Sequence, residues 1–177
     1  DSDWAMYEGP VWESDRIGWR YYLDDRNRID IFGKKVSDLV LQDHYDDYHT
    51  ISEWGADILK VGESLGIGSP AVETANGPQV IDNATSRHVA IVANGPLRSI
   101  IRTTYSGWSV DGAVLDVVSE LENRAAKRWT EQRIDLTGDS TGVILLTGIV
   151  KHPAAPGMVS GDEAGIFFAY TYGKQTD

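Results

Sequence analysis

From Val11 to Leu23 the chain alternates with a period of two. Val11, Ile17, Trp19, Tyr21 and Leu23 would share one face of an extended backbone, and Trp12, Arg16, Arg20 and Tyr22 the other. Segments of this kind recur along most of the sequence, cut by Gly, Asn, Asp and Pro, and this spacing predicts an all-β chain folded as an antiparallel β-sandwich. The first face is expected to be buried and the second to be reactive. The turn Asp24–Arg28 leads into IDIFG, and SRHVAIVA meets LRSIIRTTY through Asn94-Gly95-Pro96, which predicts a hairpin with Arg98 and Arg102 on one face. AVLDVVSEL, AAKRWTEQRIDL and GVILLTGIV continue the series, with a turn at Thr137–Ser140. The last of these is almost wholly apolar and is expected to be a central strand. Ala-Asn-Gly-Pro occurs at Ala75 and again at Ala93 in different flanks, as two similar turns and not a repeat.

With 177 residues, 41% of them hydrophobic, the chain can build one substantial core, and residues 1–177 read as one domain. A net charge of −11, from 27 acidic and 16 basic residues, opposes encounter with nucleic acid or anionic lipid. No apolar run approaches the roughly 20 residues of a membrane helix, so insertion into a membrane is not expected. The absence of cysteine excludes disulfides and thiolate metal sites and leaves the compartment open. The sequence starts without Met and stops at Gln175-Thr176-Asp177 just after the strand-like run EAGIFFAYTYG, so native sequence is expected to be missing on both sides.

Chemistry concentrates between His44 and Gly68, where two of the four histidines lie among Asp46, Asp47, Tyr48, Asp57 and Lys60. Such a mixture suits acid/base work on a polyhydroxylated substrate. Ile51, Trp54, Ile58, Val61 and Leu65 have helical spacing that Gly55 and Gly62 weaken. As a strand, WGADILKVG would instead place Ala56, Ile58 and Lys60 together. His44, Asp46, Asp47 and His49 carry donors suited to a divalent cation, Zn, Mn or Ca, although their spacing matches no established site and an acidic solvated loop is the competing reading. Gly62, Gly66 and Gly68 lack the Lys-Ser/Thr of a phosphate loop and read as positions of positive φ or close backbone approach. Asn83-Ala84-Thr85 fits a glycosylation sequon and reads as a turn. Trp54, Trp108 and Trp129 read as core anchors, Trp54 being the one that could also serve as a sugar platform.

Three long gapped motifs, MYEGPVWESDRIGWRYYLDDRNRIDIFGKK, YHTISEWGADILKVGESLGIG and RHVAIVANGPLRSIIRTTY, make the chain resemble the DUF4861 family, a group from Bacteroidetes and related bacteria found mainly among glycan-degradation genes. The resemblance runs through most of the chain and through an interior part of the family's usual domain. It implies a sandwich similar to galactose-mutarotase-like and polysaccharide-lyase domains, exported to the periplasm or outer surface. It also implies an oligosaccharide or polysaccharide partner, with the remainder of the chain's own domain as a second. Some relatives are associated with removing water from the terminal uronic acid of ulvan-type oligosaccharides, although a fold does not carry its reaction with it.

Elimination at C4 of a uronate needs a cation at the C6 carboxylate, a base for the C5 proton and an acid for the leaving oxygen. Arg16 and Arg20 are the expected carboxylate clamp, with Trp12, Tyr22 and Trp54 as rings for the sugar. His49, Tyr48, His88 and Lys60 are the expected acid/base set. The bland alternatives are a solvated charged face, structural histidines and a snorkelling lysine. A noncatalytic glycan-binding module is the second function expected from the same residues, and a structural component of an exported complex the third. To attract an anionic glycan, so acidic a chain must gather Arg16, Arg20, Arg26, Arg28, Lys34 and Lys35 into one patch. Their scattering would favour a neutral glycan instead.

Overall fold

The computed structural model describes residues 7–151 and 157–173, so the extreme ends on which the expectation of missing flanks rests lie outside the described residues. The described chain is all-β, with one three-residue 3₁₀ turn at Leu41–Asp43. Strands β1 (Val11–Glu13), β2 (Ile17–Tyr21), β3 (Ile29–Lys34) and β4 (Gly55–Asp57) form a four-stranded antiparallel sheet in that order. Strands β5 (Ala71–Thr74) and β6 (Gly77–Val80) form a small hairpin. Strands β7 (Ser86–Asn94), β8 (Arg98–Val110), β9 (Ala113–Arg124) and β10 (Thr130–Gly138) make a second four-stranded meander, ordered β10-β9-β8-β7. Strand β11 (Leu145–Leu146) pairs with β5, and β12 (Gly157–Glu163) pairs with β13 (Ile166–Tyr172).

The two four-stranded sheets pack face to face. Trp12, Trp19, Tyr21 and Ile29 of the first meet Ile101 and Leu121 of the second in one buried cluster. Trp12 and Trp19 lie parallel with ring centroids 6.3 Å apart, and Trp12 Nε1–H donates to Thr130 Oγ1 of β10 at 2.8 Å. A second cluster, Tyr105, Trp108, Leu115 and Val117 with Val72 and Ile81, seats the β5–β6 hairpin on the long sheet. Asn27, buried with φ of 45°, ties these layers together. Its Nδ2–H donates to Ile81 O and its Oδ1 accepts from the Tyr105 hydroxyl. Gly66 is required where it stands, because a Cβ there would lie 2.1 Å from Ile29 O at a φ of +60°.

Two expectations are corrected here. Between β1 and β2 the chain turns at Ser14–Arg16, and the register pairs Trp12 with Trp19 and Val11 with Arg20. Directly opposed residues share a face, so Trp12 belongs with Trp19 and Tyr21, and Val11 with Arg20. The reversal of direction exchanged the sides that simple alternation assigned. Both faces are covered, because Tyr7, Phe32, Leu41 and Trp54 form a third buried cluster on the Arg20 side. GVILLTGIV supplies only the two-residue β11 at the edge of its sheet, with Ile144 and Leu145 exposed. Its backbone groups are taken up singly instead, Glu73 N–H by Ile144 O and Gly68 N–H by Gly148 O.

Leu121 is 2% exposed at the junction of the two sheets. Leu121→Ala is expected to cost about 2–5 kcal/mol, read as a lower urea midpoint at unchanged slope.

Candidate functional site

Arg20 is a long cation in the middle of a strand, yet its side chain is 1% exposed. Burying an unpaired charge is prohibitive, so its surroundings are built to answer it. Asp30 is its direct cross-strand partner on β3, and Arg20 Nη2–H donates to Asp30 Oδ2 at 2.5 Å. The same Nη2 reaches Asp57 Oδ2 on β4 at 3.2 Å, and Nη1–H donates to the Tyr48 hydroxyl at 3.0 Å. The guanidinium lies 4.2 Å from the centroid of the Tyr22 ring, and Arg26 covers that ring from 3.7 Å. Tyr22 OH donates weakly to Asp30 Oδ2 at 3.4 Å.

Asp57 stands where this buried network meets solvent. A cleft of about 400 Å³ is lined by Tyr22, His49, Asp57, Leu59, Lys60, Val61 and Gly62. His49 Nδ1 is 3.9 Å from Asp57 Oδ2, an ion-pair and not a hydrogen-bond separation. Its side chain is 74% exposed and its ring lies 4.3 Å from that of Tyr48. Tyr48 O accepts the Asp57 backbone N–H at 2.8 Å, which fixes the Tyr48–His49 loop to β4. Burial pushes the Asp57 carboxyl above its ordinary value, although Leu59 N–H and Arg20 pull the other way. Burial, then the neighbouring Asp57 charge, pushes Asp30 up to about 6 against the pull of Arg20. Burial also raises the Tyr22 phenol, which is protonated at neutral pH.

Of the residues expected from the sequence, Tyr48, His49, Lys60, Tyr22 and Arg20 come together here, although WGADILKVG is a strand only over Gly55–Asp57 and no helix forms. Arg16 does not join them. It sits in the β1–β2 turn, 45% exposed and paired with Asp15 at 3.1 Å, so no Arg16–Arg20 clamp exists. His88 is exposed on the edge strand β7. Its neighbour Arg87 points inward to Leu23 O, Asp24 O and Asp82 O, which turns His88 to the outer face. Trp54 is 4% exposed beneath His44, their rings 5.0 Å apart, and Trp12 lies between the sheets, so neither offers a ring to this cleft. Trp108 is a core anchor, whereas Trp129 is 56% exposed, with Lys127 Nζ 4.7 Å from its ring.

His44 Nδ1 is 3.0 Å from Asp47 Oδ2, and Asp46 is exposed beside them. Among the described residues no group of three His, Asp or Glu side chains is arranged to hold a metal ion. The other basic residues of the expected patch are engaged within the chain. Arg26 is bound to Asp24 and Glu8, Arg28 to Ser64 O, Lys34 to Glu13 at 2.6 Å and Lys35 to Ser52 O at 2.8 Å. Asp30 and Asp57 are the two carboxylates of this network that sequence spacing did not single out for roles. The available signal was Arg20 itself, a cation in a strand whose neighbours are aromatic.

A family model described as a domain of unknown function, DUF4861, matches residues 2–177. No curated protein and no solved structure matches the chain.

Two outcomes are expected. Arg20→Met leaves buried Asp30 and half-buried Asp57 without their cation and lowers stability by about 3–5 kcal/mol, whereas Arg16→Met in the exposed pair changes it by about 0.5 kcal/mol or less, both measured by urea denaturation. Asp30 ionises near 3.8 when unfolded and near 6 when folded, so between these values the native state holds a proton that the unfolded state has lost. Stability of the wild type relative to Asp30→Asn therefore falls as pH rises from about 4 to about 6.

Proposed function

Because this chain belongs to the DUF4861 family, whose description assigns no activity, the reading of its function rests on the cleft. We propose that the protein is a carbohydrate-active enzyme, a carbon–oxygen lyase acting by β-elimination on a uronate-containing oligosaccharide as a dehydratase or polysaccharide lyase. The observation that carries this is the convergence of His49, Asp57 and Lys60 with the Tyr22 ring on one open cleft, backed by the Arg20–Tyr48 pair.

Each requirement of elimination finds a residue. Lys60, in place of the expected arginine clamp, meets the C6 carboxylate and stabilises the charge that grows there as C5 is deprotonated. His49 takes the C5 proton, and Asp57 at 3.9 Å stabilises the imidazolium that results. The Tyr48 hydroxyl accepts a hydrogen bond from Arg20, so its own proton is free for the leaving C4 oxygen as the C4–O bond breaks and the C4–C5 double bond forms. Tyr22 offers the edge of a ring fixed between two guanidinium groups. The resemblance to exported glycan-degradation proteins supports a periplasmic or extracellular location. Among the described residues no helix is long and apolar enough to cross a membrane.

The ion pairs of Arg26 and Lys34 favour a second reading. With these cations paired and a net charge of −11, the chain has little long-range attraction for a polyanion, and a neutral glycan bound without turnover suits the same cleft.

A panel of uronate and neutral oligosaccharides, followed by ultraviolet absorbance and mass spectrometry, separates these. Loss of one water at unchanged chain length marks a dehydratase, and shorter unsaturated products mark a lyase. Either activity is expected to fall about 10²–10⁴-fold in His49→Ala. Calorimetric binding of neutral chains with no absorbance change from uronates would overturn elimination in favour of binding.

A further inference from the structure

Asp30 takes no part in the chemistry proposed above. It is 1% exposed and does not line the cleft, reaching it only through Arg20 and the Tyr22 hydroxyl. It nevertheless shares Arg20 Nη2 with Asp57 and holds the shorter bond, 2.5 Å against 3.2 Å. One carboxylate would neutralise one guanidinium. A second, at the edge of the cleft, leaves the three groups with a net negative charge, which costs stability unless something is gained by it. The guanidinium is not placed to maximise its own bonds, since its buried Nε has no partner among the described residues while one Nη2 serves two acceptors.

We propose that Asp30 is a positioning residue: by holding Arg20 through the shorter bond, it keeps Asp57 from being fully neutralised and leaves that carboxylate's charge available to the His49 imidazolium at the cleft. The charged and titratable groups around Asp57 come from every element packed there. They are Arg20 of β2 and Tyr22 just beyond it with Arg26 behind, Asp30 of β3, Tyr48 and His49 of the loop before β4, and Lys60 after it. Tyr7, whose hydroxyl donates to Leu41 O, touches this set only through the Tyr48 ring. Of these, only Asp30 competes with Asp57 for the same nitrogen. Removing the charge of Asp30 takes away a like charge and releases Arg20 toward Asp57, and both changes favour the Asp57 carboxylate.

This inference rests on Asp57 supporting His49 in the proposed proton transfer, and its test does not need substrate. Side-chain carboxyl signals of ¹³C-labelled aspartate, assigned by the loss of one signal in each variant, report the Asp57 midpoint in the wild type and in Asp30→Asn. The midpoint is expected to move to lower pH in Asp30→Asn, with a native-like amide spectrum as the control for folding. By reciprocity the Asp30 midpoint moves down in Asp57→Asn, which reads the same coupling if Asp30→Asn does not fold. An unmoved or rising midpoint would overturn the proposal and leave Asp30 a structural ion-pair partner. A shifted midpoint in a protein that turns over no oligosaccharide would sustain the coupling and remove the lyase reading. Turnover with an unmoved midpoint would do the reverse.

Discussion

A cation with almost no access to water organises this molecule. Arg20 cannot be left alone inside a sandwich, and the groups that answer it are Tyr22 from its own stretch and Asp30, Tyr48 and Asp57 from three others. Because Asp30 is the direct cross-strand partner of Arg20, the ion pair and the β2–β3 ladder specify the same register. A slip of one residue would send Arg20 to the face occupied by Trp19 and Tyr21 and leave Asp30 buried without a counter-ion. The site is therefore not an addition to a finished scaffold. The charges that make it chemically interesting also fix how the first sheet is assembled.

The long meander supplies what the short strands of that sheet cannot. Strands β8 and β9 offer a continuous inward row, with Ile101 and Leu121 against the tryptophans and Tyr105, Trp108, Leu115 and Val117 under the small hairpin. Their outward row carries pairs such as Arg102–Glu120, 2.5 Å apart and open to solvent, which contribute little to stability. On the far side of the first sheet, the loop carrying Leu41, Tyr48 and Trp54 folds down over Phe32 and closes a second apolar layer. This cover buries Arg20 and Asp30 and leaves Asp57 at the edge of the open cleft.

The parts legible in the sequence were those set by local rules. The β7–β8 hairpin around Asn94-Gly95-Pro96, the strands that follow it and the all-β class all come from turn chemistry and a period of two, and the three aromatic-rich motifs carried the family. Tyr48, His49 and Lys60 meet because they lie close along the chain. The rest depended on pairing between distant segments. Alternation was read straight across the Ser14–Arg16 turn, where the change of direction exchanges faces, so Trp12 was assigned to the wrong side and Arg16 was given a partner it does not have. His88 looked equivalent to His49 because nothing local shows that Arg87, bound to several carbonyls, takes the inward direction. Asp30, one more acid among 27, acquires its meaning only from the register that sets it opposite Arg20.

Asn27 joins the turn before β3 to Ile81 beyond the small hairpin and to Tyr105 in the long sheet through the two ends of a single amide. Three residues later β3 carries Asp30. The buried Ile81 carbonyl, the long sheet and the strand that holds the buried acid are thus joined through one short hydrogen-bonded link, so a substitution at Asn27 reaches all three at once.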